Sequence, residues 1–367
     1  MATVVSIAPY KFLPAKIGGQ KGIALFNKYF GQHQTLVCLT VADNDNSLVE
    51  NYRAIKVFSS SRSRYFNPFT FFRIRRILKK ENASHLLIEH PYFGWLAFLL
   101  INFTNCKLIV HSHNIESLRF KSFGKWWWKI LWLYEKWIHR VADYNFFIQA
   151  DDRDYAIDNF QLLPRKCLVV TYGTEIKAPP TDVDRQTAKK VLREKHTIAD
   201  DEKVFLFVGS FNYKPNIDAL KAIDRQICPV LDGRNANYKI LICGPGLENY
   251  SPTHSKIIIA GFVQSIEPYF LGADVFLNPT LDGGGIKTKL VEALAYDCNA
   301  VSTTSGAIGV DPILCNGKLA VVKDSDWAAF AHETVRLSTV HKKISQEYYQ
   351  HFYWGNSTKK AAELIEN

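Results

Sequence analysis

The chain has 367 residues, 47% of them hydrophobic and 22% charged, the make-up of a globular protein with room for two or three domains rather than of a disordered or fibrous one. Its seven cysteines (Cys38, Cys106, Cys167, Cys228, Cys243, Cys298 and Cys315) are scattered without a close pair, which argues against a zinc site or a disulfide framework and suggests a reducing compartment. Residues 1–175 hold 23 Lys and Arg against 13 Asp and Glu, whereas residues 176–367 hold 22 of each, so an acidic partner (anionic lipid, a phosphorylated acceptor or nucleic acid) is expected for the first half alone.

The opening MATVVSIAPYKF lacks a charged leader and a long apolar stretch; residues 3–8 read as a buried strand rather than a signal peptide. A Gly18-Gly19 pair precedes a helix over about 20–29. Such a pair lets backbone approach a ligand, although by itself it marks a turn at least as readily. Strands are expected at 33–40 and 56–58, then a basic, aromatic loop and helix over 62–80. The longest apolar run, Tyr92 to Phe103, is about a dozen residues and too short to span a bilayer. Buried strands at 85–90 and 107–113 end on His90 and His113, with His111 inside the second.

A helix over 123–141 places Trp127, Ile130, Leu131, Tyr134, Ile138 and Val141 on one face, the expected core side. Opposite lie Lys125, Trp128, Lys129, Trp132, Lys136, His139 and Arg140. Tryptophans among cations suit an interfacial helix on an anionic membrane; packing under a loop, or stacking on a sugar, suits Trp128 and Trp132 as well. A strand at 143–149, a polar helix and a strand and turn at 166–175 close the first half. Residues 178–184 have the composition of a linker.

The second half opens with a strand at 203–208 and the loop Gly209-Ser210 to Asn216. Residues 238–246 resemble a dinucleotide fingerprint only superficially, because Asn249 occupies the third glycine position. A strand at 256–263 ends on Gly261-Phe262-Val263. A short apolar run, 273–280, then leads into Asp282-Gly283-Gly284-Gly285. A helix over 286–296 follows, with Ile286, Leu290, Ala293 and Leu294 at helical spacing. Strands at 299–303 and 318–322, a helix over 327–337 and a last helix complete the chain. Three glycines expose bare N–H groups, and the helix behind them adds its positive end, a combination suited to a phosphate or diphosphate. Lys287, in the expected first turn, is unfavourable for the helix unless an anion sits there. Glu292 can accept hydrogen bonds from a sugar diol. The plain alternative is a tight turn with a solvated lysine and glutamate.

The run P-x-x-D-G-G-G-I-K-x-K-L-x-E-A-L-A from Pro279, followed by T-x-x-G-A-x-G from Thr303, resembles the nucleotide-sugar site of glycosyltransferase family four, in its branch with a G-x-G-I-K loop. Many members carry two glutamates separated by seven intervening residues; Glu292 matches the second, and Gly284 stands where the first would be. The resemblance covers nearly the whole chain, strongly over 203–323. It implies an α/β protein of GT-B fold: two Rossmann-like domains facing an interdomain cleft, with a C-terminal helix crossing back. The domains would be 1–177 for the acceptor and 178–345 for the donor, with 346–367 as the returning helix.

The implied activity is retaining, metal-independent transfer of a sugar from a UDP- or GDP-sugar to a glycan or lipid-linked acceptor, as in cell-surface polysaccharide synthesis. Gly18 and Gly19, Gly209 and Ser210, Phe262 and Val263, and Asp282, Gly283, Gly284, Gly285, Ile286 and Glu292 would hold the donor. His113, with His111 and His90 as second choices, Lys287 and Lys214 would act on it. No metal and no nucleic-acid partner are expected, and the setting is cytoplasmic or peripheral on the inner membrane face. The rivals are a nucleotide-sugar epimerase or hydrolase of the same fold and a nucleic-acid-binding protein. The sequence names neither sugar, base nor acceptor.

Overall fold

The computed structural model describes residues 1–283 and 285–366. Within them the chain divides into two α/β units, one of Met1–Tyr172 with the terminal helix Trp354–Glu366, the other of Gly173–Tyr353. The sequence places these boundaries at 177/178 and 345/346, and the contacts explain the difference. Thr174 N donates to the Phe352 carbonyl at 2.7 Å, and Thr174 pairs with Tyr353. Helix Gln346–Phe352 is fixed to the second unit by the hydroxyls of Tyr348 and Tyr349, which donate to the carbonyls of Val291 and Ala295 at 2.7 and 2.9 Å. Only Trp354–Glu366 returns to the first unit, where the fully buried Trp354 meets Tyr172 edge-on.

The first unit has strands β1 (Thr3–Ile7), β2 (Thr35–Val41), β3 (Arg53–Phe58), β4 (His85–Glu89), β5 (Lys107–Ser112), β6 (Tyr144–Phe147) and β7 (Cys167–Val169). The second has β8 (Lys203–Val208), β9 (Tyr238–Cys243), β10 (Ile257–Gly261), β11 (Val275–Asn278), β12 (Asn299–Thr303) and β13 (Leu319–Val322). Among the described residues both sheets are wholly parallel, ordered β3-β2-β1-β4-β5-β6-β7 and β10-β9-β8-β11-β12-β13. The strands are near-continuous Val, Ile and Leu because helices cover both faces; Val4, Val5, Leu86, Leu87, Val204 and Leu206 are all at 0% exposure. Each sheet starts in its middle, runs to one edge and then jumps back past its first strand. The loops after β1 and β4, and after β8 and β11, therefore leave in opposite directions, which opens a crevice at the carboxyl ends of those strands.

Two expectations need correction. The segment read as a linker begins helix Asp182–His196, where Thr181 accepts from Asp184 N and Asp184 bonds back to Thr181 N, a capping box. The Trp-rich helix starts later, at Trp128–Val141, and its faces are turned: Ile130 and Leu133 are 64% and 63% exposed, whereas His139 is fully buried and its Nδ1 lies 2.8 Å from Asn145 Oδ1. Trp132 is half-buried, donating to Tyr155 Oη at 3.0 Å with Phe160 against its ring, and Trp128 is half-buried under Lys121.

Candidate active site

The crevice of the first unit is filled by ionisable side chains. Strand β4 ends in Glu89, followed by His90, and β5 carries His111 two residues before His113. Alternation along β5 places His111 and His113 on one side of the sheet. His113 Nε2 lies 2.8 Å from Glu89 Oε2, and His111 Nδ1 lies 2.9 Å from the same oxygen. Next to them, Tyr10 Oη lies 3.0 Å from His90 Nε2, and Glu116 Oε1 lies 3.5 Å from His90 Nδ1. Tyr92 Oη donates to Glu116 at 2.8 Å and Arg119 stands 3.1 Å from it. The rings of His90 and His113 are 4.2 Å apart.

Burial would raise the Glu89 carboxyl, but the two imidazoles turned towards it outweigh that and hold it at about 2. Burial pushes His90 down to about 4 and lowers His111. Glu89 is therefore the anion and accepts hydrogen bonds only. It follows that His113 carries hydrogen on Nε2, while its Nδ1 is turned towards Gly22. His90 has φ 64° and ψ 158°, a region that is essentially glycine-only and costs about 1–3 kcal/mol for other residues. The ligand-type atoms of Glu89, His111 and His113 lie within 4.8 Å of one another, a grouping the sequence reading did not assemble. It had named the histidines but missed Glu89. The available signal was a carboxylate closing a buried strand, HLLIE, in which Leu86, Leu87 and Ile88 are apolar.

The crevice of the second unit is lined by backbone. Gly209 follows β8, and a Cβ there would meet Asn216 Nδ2 at 2.8 Å; that amide donates to Ser210 O at 2.9 Å. Gly244, after β9, has φ 142°, and a Cβ there would stand 1.7 Å from Gly209 O. Two glycines thus let these loops touch. After β11, Gly283 and Gly285 adopt φ 99° and 72°. Lys287 Nζ donates to their carbonyls at 2.6 and 3.1 Å. The helix behind the loop is Thr288–Ala295, so Lys287 is its N-cap with extended backbone, not a first-turn residue. Burial pushes its ammonium down to about 8, against the raising influence of Asp282.

The following loop braces this one. Thr303 Oγ1 donates to Thr280 O at 2.5 Å and accepts from Gly306 N at 3.1 Å, and Asn278 Nδ2 donates to Ser302 Oγ and Gly306 O, both at 2.9 Å. Gly309, at φ 83°, packs against buried Ile286. Asn278, Thr280 and Ser302 went unnamed in the sequence reading.

The other expected residues fall as follows. Glu292 lies on the Thr288–Ala295 helix, 2.6 Å from Lys289 Nζ. Lys214 is exposed at the start of helix Lys214–Ala222 and pairs with Asp218. Asp282 is exposed, Phe262 is 74% exposed and Val263 is half-buried. Gly18 and Gly19 open helix Gly18–Phe30 in the first unit, with Tyr10 Oη 3.3 Å from where a Gly19 Cβ would stand. Gly284 lies outside the described residues.

Residues 202–339 match the family model for glycosyl transferases group 1, and residues 31–177 match the model for Glycosyltransferase Family 4. An Escherichia coli O-antigen biosynthesis glycosyltransferase, WbnH, is 28% identical over 133 residues, which span 35% of this chain and only 37% of the relative. Among solved structures, sucrose-phosphate synthase from Thermosynechococcus elongatus superposes with TM-score 0.74 at 15% identity, covering 100% and 98% of the two chains. Anabaena HepE, solved with UDP, does so with TM-score 0.74 at 13% identity and full coverage of both. No helix of the described residues is long and apolar enough to cross a membrane. The two doubly wound units, the full-length structural likeness and the family matches over both halves make this a protein of GT-B fold related to the glycosyltransferases of family four and group 1.

Proposed function

We propose that the chain is a retaining glycosyltransferase that moves a sugar from a nucleoside-diphosphate sugar to a glycan or lipid-linked acceptor, without a metal ion, in the synthesis of a cell-surface glycan. The observation that carries this reading is the glycine loop at the carboxyl end of β11, opened by Gly283 and Gly285 at positive φ and tied by Lys287. It stands at the switch point of its sheet, beside the glycine contact after β8 and β9. Backbone N–H groups there, those of Ser210, Gly283 and Gly285, suit a diphosphate; Gly209, whose own N–H is donated to the Cys243 carbonyl at 3.0 Å, would give the phosphate room, and Gly284 is carried over from the sequence motif alone. An ammonium has three N–H donors; Lys287 spends two on loop carbonyls, and the third would reach the phosphate. Phe262 and Val263 would seat the base, and Asp282 and Glu292 the sugar hydroxyls. Lys214 would add charge from the loop after β8.

Breaking the sugar–phosphate bond leaves positive charge on the sugar ring and negative charge on the departing diphosphate. Fixed N–H dipoles and Lys287 would stabilise the latter as it develops. Retention would follow if the acceptor hydroxyl enters on the face the phosphate leaves, with that phosphate taking the hydroxyl proton. His113, oriented by Glu89, would present Nδ1 to a hydroxyl of the donor or acceptor, and Gly18 and Gly19 would border it. The basic first unit suits an acceptor held in an anionic membrane, with the protein at its cytoplasmic surface. A thermal-shift panel of nucleoside diphosphates tests the donor site. A binder at a hundred times its dissociation constant stabilises by about 2.7 kcal/mol, and UDP or GDP should do so. Silence towards every nucleotide would remove the reason for calling it a transferase.

A further inference from the structure

Three helices of the first unit, Thr70–Lys80, Gly94–Asn102 and Trp128–Val141, share one core through Ile74, Leu100 and Ile138, each at 0% exposure. They are neighbours: the Phe71 ring lies 5.6 Å from Phe103, and Phe98 lies 5.1 Å from Trp137. Helices packed in such a layer are ordinarily polar outside. These are not. Phe69 and Phe72 are 77% and 66% exposed, Phe98 36%, Ile130 and Leu133 64% and 63%, and Trp126 83%. A contiguous exposed apolar face of this kind marks an interaction surface.

The charge on the same face is of one sign. Residues 62–80 hold seven Lys and Arg, residues 120–134 hold three, and neither stretch holds an Asp or Glu. Residues 94–103 hold no charge of either sign. Arg62, Arg73, Arg76, Lys79 and Lys80 are exposed, as are Lys121, Lys125 and Lys129. A second copy of the chain would bring cations against cations across a two-fold contact. A nucleic acid would meet the cations but leave Ile130 and Leu133 in water. An anionic bilayer satisfies both sets, taking rings and aliphatic side chains into the headgroup boundary and cations against phosphate. Trp126 suits that boundary, where an indole keeps its body in apolar surroundings and its N–H in water.

We infer that this three-helix face seats the protein on an anionic phospholipid bilayer. The inference deepens the membrane-proximal part of the functional reading. It relocates the contact from Trp128 and Trp132 to Phe69, Phe72, Phe98, Trp126, Ile130 and Leu133. Vesicle binding is measured without nucleotide sugar, so it stands or falls apart from transferase activity.

The experiment is co-sedimentation of the full chain with vesicles of phosphatidylcholine alone and of phosphatidylcholine mixed with phosphatidylglycerol. Binding is expected only with phosphatidylglycerol, weakening as salt is raised. The combined variant Phe72→Ser, Phe98→Ser, Ile130→Ser changes exposed side chains, so it should keep its unfolding midpoint while losing at least about tenfold in partitioning. Arg76→Ala with Lys79→Ala and Lys80→Ala should weaken binding and flatten its salt dependence. Brominated lipid should quench tryptophan fluorescence, less so in Trp126→Phe. Absence of binding to phosphatidylglycerol, or equal binding by wild type and the apolar variant, overturns the inference. So does a dimer abolished by that variant, which assigns the face to a second copy, or tighter retention on oligonucleotide than on phosphatidylglycerol.

Discussion

The two units share one strand order, β3-β2-β1-β4 in the first and β10-β9-β8-β11 in the second, and so open a crevice at the same place. What fills it differs. The first unit packs Tyr10, Glu89, His90, His113 and Glu116 there, groups whose charge depends on protons. The second is lined by backbone at Gly283 and Gly285, dipoles that no pH alters, with the Lys287 ammonium, pushed down to about 8, tied to them. Sheet order decides where a ligand can sit, and local side chains decide what chemistry happens there. The first crevice changes charge in acid, the second only near pH 8 through Lys287.

The largest test of that contrast is acid. His90 and His139 are each held near 4 in the folded first unit, against 6.5 for an unperturbed imidazole. Between those values the unfolded chain binds more protons, so stability falls as pH is lowered from 6.5 to 4, by about 1.4 kcal/mol per unit for each imidazole. Glu89 and Glu116, held at about 2, add a further loss only as pH drops below 4.5. Hydrogen exchange at pH 5 should show opening concentrated in β4 and β5 while β11 and β12 stay protected; uniform loss across both units would erase the distinction.

Second, Lys287→Ala should weaken UDP binding about a hundredfold, some 2.7 kcal/mol by calorimetry, because it removes a charged donor and unties the glycine loop. An affinity within about twofold of wild type is the result that speaks against a phosphate site. Third, Gly306→Ala brings a Cβ to 2.6 Å from Ser302 Oγ and 2.8 Å from Asn278 Nδ2. The crowding should cost about 1–3 kcal/mol in urea unfolding. Wild-type stability there would mean that the brace is looser than its hydrogen bonds suggest. The smallest effect is expected for Glu89→Gln, which keeps shape but removes the anion that fixes His113: about tenfold in turnover of the nucleotide sugar, with an altered pH profile. UDP affinity should not change, and Glu89→Asp should recover part of the rate. A parallel loss of UDP affinity would show that the two crevices do not divide the work.

How much of this was legible in the sequence follows from how each site is built. The glycine loop, its lysine and the helix behind it are contiguous in the chain, so residues 279–295 could be read as one motif. The bracing of Thr303 and Gly306 also lay within a recognisable pattern, although its purpose emerged only with Thr280 and Asn278 in view. The first crevice is assembled from the ends of β1, β4 and β5 and from Glu116, far apart in sequence. Individual histidines were visible there, but not the carboxylate that orders them. The Trp-rich helix misled for a related reason. Its wheel assumed one apolar face inward, whereas His139 is buried with Nδ1 against Asn145 and Ile130 points out. A charged helix over Asp182–His196 was hidden because its start looked like a linker, the Thr181–Asp184 pairing serving as a cap.

His90 carries a consequence for how this chain can change. Its backbone sits where glycine alone is at ease, yet its ring holds Tyr10 on one side and Glu116 on the other. Glycine would relax the main chain and delete the ring; every other residue keeps the strain and loses the partners. No single substitution improves both. Relaxing the main chain at this position therefore means giving up the contacts to Tyr10 and Glu116.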